Sequence, residues 1–253
     1  MSARRAAAAI VLVSAAAVVL TLAACSSRGL ARQYEYEEEV YLDADGSATV
    51  VVNASLPALV ALRGLPLASE STARFDRDAV RSAFASPSSR VTRVSRPWRR
   101  GGRRFVQVRV ETDDIRSLGR AAPFAWSSYA FDVDAGEVVY RQRVGPAAGS
   151  PPASARWDGR EVVAFRLHLP SRIEYHNAPS REVERGNILS FEQPLADRLA
   201  GKPIDIEVRM QRGSILRRTL LVFGLAVGAA LLLLAAIVWW VTKKGHAAAR
   251  PAA

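Results

Sequence analysis

Few side chains in this 253-residue sequence have the type and spacing that chemistry asks for. The nearest case is a run of acids: Glu35, Glu37, Glu38 and Glu39 lie close together, and carboxyls buried as a pair can divide general acid and general base work. Strand alternation argues against that use. In a strand over Tyr34 to Leu42 only Glu38 shares the face of Tyr34, Tyr36, Val40 and Leu42, so the run reads as a solvated face that blunts a sheet edge or meets arginines. His168 falls on the polar face of another alternating segment, and His176 precedes Asn177 in a loop. Either imidazole could activate a hydroxyl or thiol, but no Gly-x-Ser-x-Gly elbow or comparable motif accompanies them. Asp43 and Asp45 occupy a short turn with too few oxygens for a calcium loop. One cysteine and three histidines make neither an intramolecular disulfide nor a Cys/His zinc cage. The expectation is a protein that is not an enzyme, with no catalytic residue, no metal and no cofactor.

A second group could bind instead of react. Arg90, Arg93, Arg96, Arg99, Arg100, Arg103, Arg104 and Arg109 fall in one stretch without an acid, and four of them flank Gly101-Gly102 just after Trp98. A hairpin tip of this kind can press guanidinium groups onto lipid phosphates while the indole enters the interface, at about 1 kcal/mol per basic residue near an anionic surface. Trp98, Arg99, Arg100, Arg103 and Arg104 are therefore the candidate contacts to an anionic membrane or ligand. A solvated turn in an arginine-rich chain is the plain alternative. Nucleic acid needs the same charges but is seldom met by an exported domain, so no nucleic-acid partner is expected.

Export is read from the two ends. Arg4 and Arg5 precede an uncharged run of small and apolar residues from Ala6 to Ala24, the pattern of a secretory signal over residues 1–24. It closes on Leu22-Ala23-Ala24-Cys25 and turns at once to Ser26-Ser27-Arg28, which resembles the bacterial lipobox. In such signals the cysteine thiol carries a diacylglycerol and becomes the new amino terminus, making Cys25 the lipid attachment residue and 25–33 a tether. At the other end Thr219 to Val241 is uncharged, and a transmembrane helix is expected over 215–242. Trp239 and Trp240 stand where an interfacial aromatic belt belongs, and Lys243 and Lys244 open a short basic cytoplasmic tail, 243–253. The formal net charge of +11 falls to +6 between Ser26 and Arg218, where 30 basic residues face 24 acidic ones.

The elements between these anchors must form the domain, 34–212. Period-two patterns dominate: Val163, Phe165, Leu167 and Leu169 alternate with polar or small residues, as do Ile204, Ile206, Val208 and Met210, and Val106, Val108 and Val110. Turn residues at Asp43 to Gly46, Gly101-Gly102 and Asp134 to Gly136 predict three hairpins. Short helices are signalled by Ser55 and Pro57 before Ala58 to Arg63, by Asp76 before Ala79, Val80 and Phe84, by Asp113 to Leu118 and by Pro194 to Leu199. Gly145 to Ala155 reads as a long loop. The fold class is α+β: one mainly antiparallel sheet domain with a few short helices, plus the signal segment and the transmembrane helix.

Several segments together resemble the LppM-like family of bacterial lipoproteins. The resemblance runs through Tyr36 to Leu42, the Asp43-Ala44-Asp45-Gly46-Ser47-Ala48 hairpin and Thr49 to Val52. It continues through Leu169-Pro170-Ser171-Arg172-Ile173, His176-Asn177-Ala178, Gly186-Asn187-Ile188-Leu189-Ser190-Phe191 and the helix at Thr219. These motifs are structural turns, and none is a catalytic signature. The resemblance implies a membrane-anchored extracytoplasmic domain, with an apolar cavity for envelope lipids among its expected features. On this reading the protein is a cell-envelope lipoprotein of the inner (cytoplasmic) membrane, lipid-anchored and single-pass, that binds a lipid or amphipathic ligand or the anionic membrane surface. The alternative is a scaffold or assembly subunit of an envelope complex. Its expected partners are membrane lipids and, in the second case, an envelope protein.

Overall fold

The computed structural model describes residues 33–248 except 71 and 135, and the side chains of these except at 214–218 and 241–248. Eleven strands form two sheets among the described residues. The larger sheet contains β1 (Gln33–Leu42), β2 (Ala48–Ser55), β3 (Arg90–Val94), β4 (Trp98–Arg100), β5 (Arg103–Thr112), β8 (Glu161–His168) and β10 (Ile188–Pro194), in the order β10-β8-β1-β2-β5-β3, with β4 on the start of β5. The smaller contains β6 (Ser127–Asp134), β7 (Glu137–Val144), β9 (Ser171–His176) and β11 (Ile204–Ser214), in the order β6-β7-β11-β9. All pairs are antiparallel except β1 with β8. The three hairpins form where glycine allows the turn: Gly46, Gly101, Gly102 and Gly136 all take positive φ.

The helices are short and do different work. In α1 (Leu56–Arg63) Ser55 accepts from the Ala58 amide at 3.1 Å, and Gly64 ends the helix in the left-handed region. Only Val60 of its eight residues is not buried, so α1 is a core element whose last residue is an arginine. In α2 (Arg77–Phe84) Asp76 caps two amides while Val80 and Phe84 turn inward. Ile115–Arg120 is a 3-10 turn capped by Asp114, Ala122–Phe124 is a second, and α3 (Leu195–Leu199) closes the set. The loop after β7 crosses α1 at backbone distance: Gly149 donates to the Ala61 carbonyl at 3.0 Å, and a Cβ on Gly149 would meet the Val60 carbonyl at 2.2 Å. One apolar cluster fills the space between the sheets, from Tyr36, Val40 and Phe165 to Tyr140, Val208 and Met210.

Two ends of the fold are distinct. At one, β1 starts at Gln33 beside Glu161, and Arg103 at the β4–β5 turn bonds to Gln33. At the other, Tyr41 pairs with His168, three residues before Ser171, which pairs with Ser214 at the end of β11. The β6–β7 hairpin lies at this second end as well, since Arg212 donates to Gly136 and the Phe131 ring packs on Gly46. There β11 passes without a linker into α4 (Ile215–Ala248). The segment Thr219–Trp240 is long and apolar enough to cross a membrane, and none of it is buried in the protein. The helix backbone continues past Lys243 and Lys244 to Ala248, since Ala and Lys favour further helical turns. The first and last strands run from Gln33 and to Ser214.

Candidate functional site

The acid run divides: Glu37 and Glu39 are half-buried on the outer face and meet Arg166 and His168, whereas Glu35 and Glu38 are buried. Glu38 is fully buried, because its inward position in β1 places it between the two sheets. Its Oε1 accepts from Gln142 Nε2 at 3.1 Å and from Tyr129 Oη at 3.3 Å, and its Oε2 accepts from Tyr36 Oη at 2.7 Å. Arg63, at the end of α1, donates from Nη2 to both the Glu38 carboxylate and the Tyr36 phenol oxygen. The Arg63 guanidinium carbon lies 3.9 Å from the centroid of the Trp126 ring. Arg198 of α3 approaches the same ring at 5.5 Å and donates to the carbonyls of Val144 and Gly145. Burial pushes Glu38 up to about 7, against the pull of its bonds from Gln142 and Tyr129. Burial also pushes Arg63 well below its usual range, with Arg198 adding to the effect. Two cations and one carboxyl thus share an interior site. Glu35 is buried too, because the register shift between Tyr34 and Tyr36 carries it off the outer face.

The arginine hairpin is in part a structural device. Arg103 bonds Glu35 at 2.8 Å, approaches Glu161 at 3.7 Å, and reaches the Gln33 side chain at 3.3 Å. Arg104 is buried and donates to the carbonyls of Ala73 and Glu70. These two are therefore turned into the protein and are not surface contacts, a correction to the expected set of five. Trp98, Arg99 and Arg100 remain at the surface, with Trp98 40% exposed and stacked on Phe105 at 5.9 Å. Arg100 donates to the Tyr34 carbonyl and covers the Phe105 ring at 4.3 Å, so the tip is stitched to the first residues of β1.

The remaining candidates separate widely. On the outer face of the larger sheet His168 meets Glu39 at 3.2 Å and stacks on Tyr41 at 3.9 Å, while Glu37 pairs with Arg166 at 2.6 Å. His176 is the last residue of β9 and not a loop residue, since β11 extends the pairing to Val208. Asp45 is drawn into its own turn by Ser47, whose amide and hydroxyl it accepts at 3.0 and 2.7 Å. Among the described residues no group of three or more His, Cys, Asp and Glu gathers as metal ligands would. A cavity of about 720 Å³ is lined by Ser86, Ser88, Glu111, Asp113 and Arg120 among others, a largely polar wall. Trp239 and Trp240 are exposed on α4, the backbone at Lys243 and Lys244 is helical, and Cys25 lies outside the described residues.

No protein-family model and no curated protein matches this chain. Among solved structures it is similar to the NMR structure of the folded domain of LppM from Mycobacterium tuberculosis, at 10% identity and a TM-score of 0.38, over 72% of this chain and 92% of that one. The likeness is distant, and neither the expected family membership nor any residue role follows from it.

The residues that reading the sequence missed are Arg63, Arg198 and Trp126. A signal for the first was present: Leu56 to Leu62 has no charge, and an arginine ending so apolar a helix must either reach water or be buried with a partner. That the partner is Glu38, 25 positions earlier on a strand, follows only from the packing of α1 against the sheet.

Proposed function

We propose that this chain is a non-enzymatic envelope lipoprotein, anchored in the cytoplasmic membrane at both ends of its domain, with the Trp98 hairpin resting on the anionic bilayer surface. One observation carries the reading. The tip of that hairpin is bonded to the first residues of β1, through Arg100 to Tyr34 and Arg103 to Gln33 and Glu35. A lipid on Cys25 stands eight residues before Gln33, a reach of at most about 28 Å of extended chain. The opposite end is held where β11 enters α4, whose Thr219–Trp240 segment spans about 33 Å. With both anchors in one bilayer the domain lies along the surface, and Trp98, Arg99 and Arg100 come down beside the lipid. Indole and guanidinium are suited to that depth, one amphipathic and the other paired to phosphate.

Cys25→Ser tests the anchor. In a bacterial host labelled with an alkyne fatty acid, the parent chain should carry label and lack residues 1–24, while the variant should be unlabelled, longer and still membrane-bound through α4. Unchanged processing and labelling would remove the N-terminal anchor and with it the reason for the hairpin to reach the bilayer. Crosslinking in cells separates this reading from a scaffold, which would show one stoichiometric protein partner.

A further inference from the structure

We infer that the chain binds a small organic carboxylate in the cleft beside Arg63 and Trp126. The first ground is a set of hydrogen-bond donors with nothing to donate to. Arg63 Nε and Nη1, Arg198 Nε and Trp126 Nε1 are all buried and lack an acceptor in the protein. Buried donors are seldom left unmet, and here four belong to three side chains that touch one another, since both guanidinium groups lie over the Trp126 ring. The second ground is charge. Arg63 and Arg198 bring two guanidinium groups to an interior site, and among the described residues Glu38, bonded to Arg63, is the one carboxyl that contacts either, while Arg198 meets only the Val144 and Gly145 carbonyls. An anionic ligand therefore suits the site better than a neutral one.

The third ground is space. A cavity of about 350 Å³ opens beside these groups, with Arg63 and Trp126 in its wall. The rest of the wall is apolar, from Pro123 and Ala125 on one side to Pro146 and Ala147 on the other. That volume is at the small end of ligand sites and suits a compact apolar body carrying one carboxylate, not a diacyl lipid. The cavity is framed by the Ala122–Phe124 turn and the loop after β7, which Gly149 holds against α1. The site is distinct from the hairpin and does not depend on the membrane contact proposed above.

Benzoate is the probe, with benzamide as its uncharged counterpart, titrated calorimetrically into the full chain in zwitterionic nanodiscs. Benzoate should bind at one site per chain and at least tenfold more tightly than benzamide. Ala147→Leu, which fills the cavity and leaves every charge in place, should abolish binding while circular dichroism is unchanged. Arg63→Met and Arg198→Met should each weaken it tenfold or more, and Trp126→Phe, which keeps the ring but loses the indole N–H, by a few-fold. Where Arg63→Met does not fold, Ala147→Leu and the benzamide comparison decide. Equal binding of benzoate and benzamide, no saturable benzoate binding, or benzoate binding that survives Ala147→Leu would overturn the inference. Arg99→Glu/Arg100→Glu should bind benzoate as the parent does, which separates this site from the hairpin.

Discussion

Two groups of arginines in this protein differ in how far their donors are met. At the β4–β5 turn Arg103 bonds Glu35 and approaches Glu161, and Arg104 gives two of its three nitrogens to the carbonyls of Ala73 and Glu70, leaving only its buried Nε without an acceptor. Between the sheets Arg63 has one carboxylate and one phenol, and two of its nitrogens face no acceptor. The residue type is the same, and the difference is in the supply of acceptors. A turn exposes main-chain carbonyls that a guanidinium can use, whereas a packed interior of strands and helices has spent its carbonyls on its own ladders. The first group therefore holds the fold together. The second keeps more donors unmet, and on the inference above those are the donors a carboxylate would take.

Breaking each group measures that contrast. Arg63→Met, which takes from buried Glu38 its one cationic partner and leaves it only the neutral donors Gln142, Tyr129 and Tyr36, should cause the largest loss, about 3–5 kcal/mol in urea denaturation of the full chain. Arg104→Met should cost less, about 1–3 kcal/mol, because it leaves the carbonyls of Glu70 and Ala73 unmet but at a site nearer water. The pH dependence sharpens the interior half. Glu38, pushed up to about 7 from an ordinary 4.5, holds its proton more tightly in the folded than in the unfolded chain. Its contribution is therefore full below pH 4.5 and is lost as pH rises through about 7, a slope that Glu38→Gln should remove. The aspartates Asp45 and Asp114, held low by hydrogen bonds from Ser47 and Arg116, act with the opposite sign and lose their contribution as pH falls through the carboxylate range. Arg99→Ala, at the exposed tip, should change stability by no more than about 0.5 kcal/mol while weakening binding to anionic vesicles.

Local features were legible because they depend on neighbours in the chain. Ser55 and Asp76 cap the helices they announce, and the glycines at 46, 101, 102 and 136 turn the hairpins that were expected. The mixed α+β class followed from the alternation of Val163 to Leu169 and Ile204 to Met210. What escaped was set by partners far away in sequence. The parallel pairing of β1 with β8 joins Gln33 to Glu161, and nothing in either segment specifies the other. The inward turn of Glu35 depends on a register shift at Tyr34, and although alternation put Glu38 on the inner face, its partners Arg63, Tyr129 and Gln142 arrive from three other elements. The arginine run looked uniform in sequence, and only the fold divides it into Arg103 and Arg104, turned inward, and Arg99 and Arg100, left at the surface.

The claim that the domain lies along the bilayer with its hairpin down is tested most directly by hydrogen–deuterium exchange of the lipidated full chain. Nanodiscs of phosphatidylglycerol are compared with nanodiscs of phosphatidylcholine, following the peptide that contains Trp98 to Gly102. The account predicts slower exchange of that peptide in the anionic discs, abolished by Arg99→Glu/Arg100→Glu, with the β6–β7 hairpin near α4 unaffected by the substitution. Equal exchange of the Trp98 to Gly102 peptide in both kinds of disc, with and without the substitutions, would contradict it.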